Sequence, residues 1–223
     1  MLVIHGLHAS ESTLGGRAYL VEGAMECAVI DTGAPDGALG AAHLVTISRR
    51  PLQEVRLILL THAHPGHAGN AAALRTLTGA GLAASEETAR LLRTVGSVSS
   101  GSRLPFGRRG EPWPPEPIRV EEILTPGQVL DIAGGIEVHD APGHLPGALA
   151  FHCYGPNALC IGDAGRVQHS GRLAPPPPRR CADPSAARAT AGRLAALRVR
   201  VIAPGHGLPS VDGRVPSRFA GVE

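Results

Sequence analysis

Residues 61–70 read "THAHPGHAGN" and follow the apolar run 55–60, "VRLILL". Three imidazoles, His62, His64 and His67, thus crowd the mouth of a strand whose composition demands burial, with Gly66 standing among them. Each ring brings polar nitrogens that need partners when buried, so neutral core packing does not account for three of them side by side. The same arrangement recurs along the chain. His144 lies in "APGHLPG", Asp163 in "IGDAG" and His206 in "APGHG", each just past an apolar strand and each bracketed by glycine. Six potential ligands therefore sit at four like positions. Open α/β sheets place their sites at the carboxyl ends of strands. Imidazole nitrogens with a carboxylate suit zinc, or other borderline divalent ions such as iron or manganese.

Outward from this stretch, strands and helices alternate. "AYLVEG" (18–23) and "CAVIDTG" (27–33) read as a hairpin, and residues 35–50 open with Pro and Asp and space Leu39, Leu44 and Ile47 for a helix. Residues 67–79, "HAGNAAALRTLTG", form a helix with a glycine stop; "GLAAS" (81–85) is a strand and "EETARLLRTV" (86–95) a helix. The second half runs strand upon strand, at 118–124, 128–132, 136–144, 147–155 and 157–165, separated by Gly and Pro turns. Asp183 caps a helix over 183–198 with Pro184 at its first position, and 199–207 is a last buried strand. "APPPPRR" (174–180) reads as a stiff extended spacer. This order predicts an α/β fold. Residues 96–117 lose all periodicity and collect Gly, Ser, Pro and the single tryptophan, which reads as a lid loop.

Composition narrows the class. A chain of 223 residues with 43% hydrophobic content buries one sizeable core, so 1–223 reads as a single domain. The apolar runs are short, and the opening "MLVIHGLHASES" lacks a basic flank and a long apolar segment, which predicts no membrane span and no export signal. The four cysteines, Cys27, Cys153, Cys160 and Cys181, make no CxxC pair and read as reduced thiols, with the cytoplasm as the expected location. All 21 basic residues are arginine, net charge is only +2, and one Trp, two Tyr and three Phe offer little stacking surface. Nucleic acid is not an expected partner.

The motifs "THAHPGHAGN", "APGHLPGALAF", "CIGDAG" and "VIAPGHGLPS" resemble, in order and spacing, the metal-binding motifs of the metallo-β-lactamase-fold hydrolase superfamily, over roughly residues 18–210. The resemblance implies a four-layer αββα sandwich with a dimetal cleft at its edge. It implies His62, His64 and His144 as ligands of a first metal, Asp163 as the bridging carboxylate, and His67 with His206 as ligands of a second. Gly66 stands where the family motif His-x-His-x-Asp-His has its aspartate, which implies one firm metal and a second that is weak, absent or completed by water. Asp31 in "VIDTG" matches a common family position, as a support for ligands or as the acceptor for its own turn amides. Thr61 reads as structural, and His139, His152 and His169 match no motif.

The function this implies is hydrolysis of a small ester, thioester or lactone by a metal-bound hydroxide, as in the glyoxalase II and small-hydrolase branch, with zinc the expected metal and Asp163 the catalytic carboxylate. No GxSxG nucleophile elbow is present. Two alternatives stand beside it. One is a mononuclear iron enzyme like the persulfide dioxygenases, held by His62, His144 and Asp163; the other is a degenerate metal-binding relative. Substrate choice is assigned to the lid, and the oligomeric state is left open.

Overall fold

Successive side chains along the strands take opposite faces of their sheet and so sort into layers. In the computed structural model residues 1–10, 15–35, 39–96 and 113–216 are described. The first sheet takes its strands in chain order: β1 (Leu2–Ile4), β2 (Leu7–Ala9), β3 (Tyr19–Glu22), β4 (Cys27–Ile30), β5 (Val55–Leu59), β6 (Gly81–Ala84) and β7 (Glu122–Ile123). Neighbours from β1 to β4 are antiparallel and those from β4 to β7 parallel. The second sheet begins with β8 (Val129–Leu130), β9 (Ile136–Asp140), β10 (Leu149–Cys153) and β11 (Ala158–Gly162). A ribbon of β12 (Arg166–Val167) and β13 (Leu173–Ala174) branches off, and β14 (Val201–Pro204) and β15 (Ser210–Val211) complete the order β15-β14-β11-β10-β9-β8.

Helix α1 (Leu39–Ile47) connects β4 to β5, α2 (Pro65–Ala68) and α3 (Ala71–Thr78) connect β5 to β6, α4 (Glu86–Arg93) follows β6, and α5 (Pro184–Ala195) precedes β14. Tyr19, Val21, Ile30 and Leu59 of the first sheet pack against Val138, Phe151, Cys153 and Cys160 of the second, forming the middle of the sandwich. Leu20, Val29 and Ile58 face the other way, onto Leu44, Leu74 and Leu92 of the helices. Ala150, Leu159 and Ile161 meet Leu194 of α5. The layers are therefore helix, sheet, sheet, helix, as expected for an αββα sandwich. Each fully buried Leu, Ile or Phe contributes about 1.5–3 kcal/mol by leaving water. Truncating Phe151, fully buried between the sheets, to alanine would cost about 3–5 kcal/mol.

Several local readings change. The helix expected over 67–79 is two helices that break near Gly69, where an added Cβ would lie 2.4 Å from both Pro35 N and Pro65 O. Helix α3 does stop on a left-handed glycine, Gly79 at φ 72°. The strand expected at 118–124 shortens to β7, and β1 and β2 were not anticipated, because three-residue strands carry too little periodicity to read. The proline run 174–180 is not uniformly extended: it starts within β13 and ends in a 3₁₀ turn over Pro178–Arg180. Asp183 caps α5 as expected, accepting from the Ser185 and Ala186 amides. Residues 97–112, the middle of the expected lid, lie outside the described residues. Its far end is a fixed part of the core, with Trp113 buried and its indole N–H donating to the Ala63 carbonyl at 2.8 Å. Cys27, Cys153 and Cys160 are buried and all four thiols are free.

Candidate metal centre

Strand direction brings the site together. β4 and β5 run parallel in one sheet, β11 and β14 in the other, and β9 aligns with β11 because each is antiparallel to β10. Their carboxyl ends meet at one edge of the sandwich. His62, His64 and His67 follow β5, His144 follows β9, Asp163 follows β11, His206 follows β14 and Asp31 follows β4. All six residues singled out in the sequence lie in this cleft, in two groups that share Asp163.

The first group is His62, His64, His144 and Asp163, each offering a ligand atom within 4.8 Å of the others. His64 Nδ1 lies 3.1 Å from His62 Nε2 and 2.9 Å from His144 Nε2. The far side of each flanking ring shows which nitrogen keeps its lone pair. His144 Nδ1 is 2.6 Å from the Arg180 carbonyl, which can only accept, so Nδ1 carries the proton and Nε2 the lone pair. Thr61 Oγ1 gives its one proton to Asp31 Oδ2 at 2.8 Å and is left to accept from His62 Nδ1 at 3.0 Å. His62 Nε2 is thus also a lone pair aimed at His64. At most one proton, on His64 Nδ1, relieves this meeting of nitrogens; with that ring turned to the same role, only a cation does. The donor set therefore fits a borderline divalent ion.

Protonation supports it. Burial, then the charge of His67, holds His62 well below its ordinary value; burial, then His144, lowers His64 to about 4; burial lowers His144 against the pull of Asp163. The three rings are neutral at neutral pH and ready to donate lone pairs.

The second group is His67, Asp163 and His206. His67 donates from Nδ1 to Asp31 Oδ2 at 2.7 Å, while its buried Nε2 lies 3.3 Å from Asp163 Oδ1 and makes no hydrogen bond there. Burial pushes His67 down, but Asp163 and Asp31 outweigh it, and among the chain's own groups the ring is held up to about 10. Asp163 is raised by burial, yet His67 and His206 hold its carboxyl well below the usual range. His206 Nε2 is 3.4 Å from Asp163 Oδ1 and its side chain is 46% exposed, against 1% for His67. Glycine is required around this group by close approach. A Cβ on Gly205 would lie 2.5 Å from His67 Cε1, and one on Gly162, at φ 48°, 2.5 Å from Thr61 Oγ1. Gly66, within α2, has no such backbone demand; its carbonyl accepts from the Gly16 amide at 2.8 Å, and a Cβ there would lie 3.3 Å from Gly16 N.

Asp31, expected either to support ligands or to accept from its own turn amides, does the first: it is a hub that holds Thr61 and His67 at once, in the left-handed region at φ 57°. Two further parts of the site escaped the sequence reading. Thr61 is more than structural, since its hydroxyl sets the tautomer of His62. The Arg180 carbonyl had no signal, because a backbone acceptor leaves no trace in residue type.

An αββα sandwich whose edge gathers five histidines and a shared aspartate offers two adjoining groups that could hold a metal ion. The chain belongs to the metallo-beta-lactamase superfamily, whose family model matches residues 13–206. It is 31% identical over 170 residues to the uncharacterized protein YobT of Bacillus subtilis and 30% identical over 159 residues to a hydroxyacylglutathione hydrolase of Albidiferax ferrireducens, covering 70% of this chain in each case. The matches span 66% of the first relative's length and 49% of the second's. In fold it resembles a metallo-beta-lactamase of Cronobacter sakazakii with a HARLDQ motif (TM-score 0.70, 21% identity, 93% of this chain and 77% of that one). It likewise resembles BJP-1, a subclass B3 enzyme of Bradyrhizobium japonicum (TM-score 0.68, 20% identity, 92% and 76%). Among the described residues no helix is long and apolar enough to cross a membrane.

Proposed function

We propose that this chain is a metal-dependent hydrolase of a small ester, thioester or lactone, with one divalent ion, zinc by preference, held firmly by His62, His64 and His144 beside Asp163. The observation that carries the reading is the convergence of ring nitrogens whose opposite nitrogens are committed to Thr61 and Arg180. A divalent ion at such a site lowers the pKa of water to about 7 and polarises a carbonyl. The chain's own residues supply orientation and charge. Thr61 and the Arg180 carbonyl fix two rings, Asp31 fixes His67, and ionised Asp163 is placed to accept a proton from a water entering the cleft. The relative named hydroxyacylglutathione hydrolase supports the thioester branch. A half-open surface depression lined by prolines 175–178 with Arg166, Arg179 and Arg188, none of them a candidate metal ligand, would suit the carboxylate or phosphate of a substrate. Arg166 follows Asp163 by three residues, and Arg179 precedes the residue whose carbonyl orients His144. The proposed setting is the cytoplasm, with a small-molecule substrate and neither nucleic acid nor membrane as partner.

Gly66 at the position of the family aspartate leaves the second group one charged ligand poorer, so one firm ion and a weaker second, or none, is the proposed state. That same glycine favours a second reading, a mononuclear iron oxygenase held by His62, His144 and Asp163, because such chemistry does without the second site. Elemental analysis of protein purified without oxygen, paired with thioester hydrolysis and oxygen-uptake assays, separates the two. Zinc with chelator-sensitive hydrolysis is the expected result; stoichiometric iron with oxygen consumption would transfer the assignment. A metal content of His144→Ala equal to that of wild type would sink both.

A further inference from the structure

We propose that Glu137, His139 and His152 form a separate, peripheral site for a zinc-class divalent cation on the outer face of the second sheet. Strand register makes the site. Glu137 and His139 are two apart on β9 and so share a face, opposite the core-facing Ile136 and Val138. On β10, His152 is paired directly across from Glu137 and Ala150 across from His139. Because Phe151 and Cys153 point into the sandwich, His152 points out of it, onto the face where Ala150 packs beneath α5. The cross-strand pairing brings one ligand atom from each of the three residues within 4.8 Å of the other two. The donors of the main cleft lie at the strand exits instead, and no residue is shared between the sites.

Two imidazoles and a carboxylate are a familiar zinc donor set, one that leaves a fourth position for water. Two features set this trio apart from ordinary surface histidines. His139 Nε2 is shielded from solvent and makes no hydrogen bond, although Glu137 Oε2 lies only 3.5 Å away; a buried polar nitrogen without a partner is costly unless something occupies its lone pair. The other two ligands have polar partners of their own, as metal ligands do. The Tyr154 hydroxyl donates to Glu137 Oε2 at 3.0 Å, and His152 Nε2 is 3.0 Å from Asn157 Oδ1. The bound ion would tie β9 to β10 and satisfy His139. It would also add to any count of metal per chain, so a stoichiometry near two does not by itself mean that the main cleft is dinuclear.

The test uses the full chain, stripped with chelator and re-equilibrated with zinc, with metal counted by elemental analysis after equilibrium dialysis. The double variant His139→Gln/His152→Gln should bind one zinc fewer than wild type at saturation while keeping its hydrolytic activity. Glu137→Gln, the milder change, should weaken that same equivalent at least tenfold. His206→Ala should leave this equivalent in place, which assigns the loss to the outer face and not to the cleft. Equal zinc counts in wild type and the double variant, with unfolding midpoints in excess chelator that match, would overturn the proposal. So would loss of the same equivalent in His206→Ala. If the double variant unfolds in chelator at a lower midpoint, Glu137→Gln decides: unchanged zinc affinity rejects the site.

Discussion

The two halves of the cleft are built differently from the same residue types. Around His64, two neutral flanking imidazoles aim lone pairs at its Nδ1, and the proton of each flanking ring is held outside by Arg180 or Thr61. Around His67, a ring held protonated up to about 10 by two carboxylates pairs with Asp163, and the third member, His206, is 46% exposed on the rim. The first half is preorganised for a cation, because the Arg180 carbonyl and Thr61 fix the flanking rings with their lone pairs facing His64. The second already balances its own charges and gains less from binding an ion. The lesson is that counting histidines misleads: the tautomer each ring is forced into, and the carboxylates within reach, decide which half binds tightly.

The largest effect should come from the residue the halves share. Asp163→Ala removes the carboxylate of both groups, and we expect hydrolysis and metal affinity to fall at least a hundredfold, beyond the 10–100-fold typical of outer-sphere positions. His206→Ala touches only the exposed rim and should cost less. Equal or reversed losses, measured by kcat/KM and competitive chelation, would break the asymmetry.

Gly66→Asp sharpens the comparison by adding a carboxylate to the weaker half. Metal content should rise by up to one equivalent, read in the His139→Gln/His152→Gln background so that the outer face does not contribute. The cost is modest. Gly66 is not in the left-handed region, so aspartate meets no backbone strain, but the Gly16 amide 3.3 Å from the new Cβ must give way. A fall in unfolding midpoint of a few degrees, equivalent to about 1 kcal/mol, is expected. Wild type that holds two tight ions in the cleft would end the argument for a weak second half.

The halves also differ in the pH dependence of the chelator-treated chain. His64 is lowered from 6.5 to about 4, so in that window the unfolded chain binds more protons and acidification costs stability. His67 is raised from 6.5 to about 10; its stabilisation is complete below the lower value and disappears as pH climbs to the upper one. Denaturant titrations should therefore show greatest stability near pH 6.5, with His64→Gln flattening the acid limb and His67→Gln the alkaline limb. A profile insensitive to both substitutions would contradict the protonation states assigned to the two halves.

Residue type and spacing alone determined much of this protein. Apolar strand runs and helices closed by Gly79 or opened by Asp183 are local choices, legible because propensity and capping act within a few residues. The strand-exit positions of His62, His64, His67, His144, Asp163 and His206 were legible for the same reason, since a polar ligand placed just past a buried strand repeats a visible pattern. The family motifs then implied the sandwich that the two sheets form. Tertiary structure alone decided what each of those groups does. The Arg180 carbonyl that sets the tautomer of His144 lies 36 residues away along the chain, and Asp31 is 36 residues from His67, so neither contact has a local signature. The register of β9 on β10 likewise turned His139 and His152, unremarkable in sequence, into neighbours of Glu137 on one face. Such outcomes follow from long-range pairing, in which a one-residue slip would send every side chain to the opposite face, and no local propensity encodes that choice.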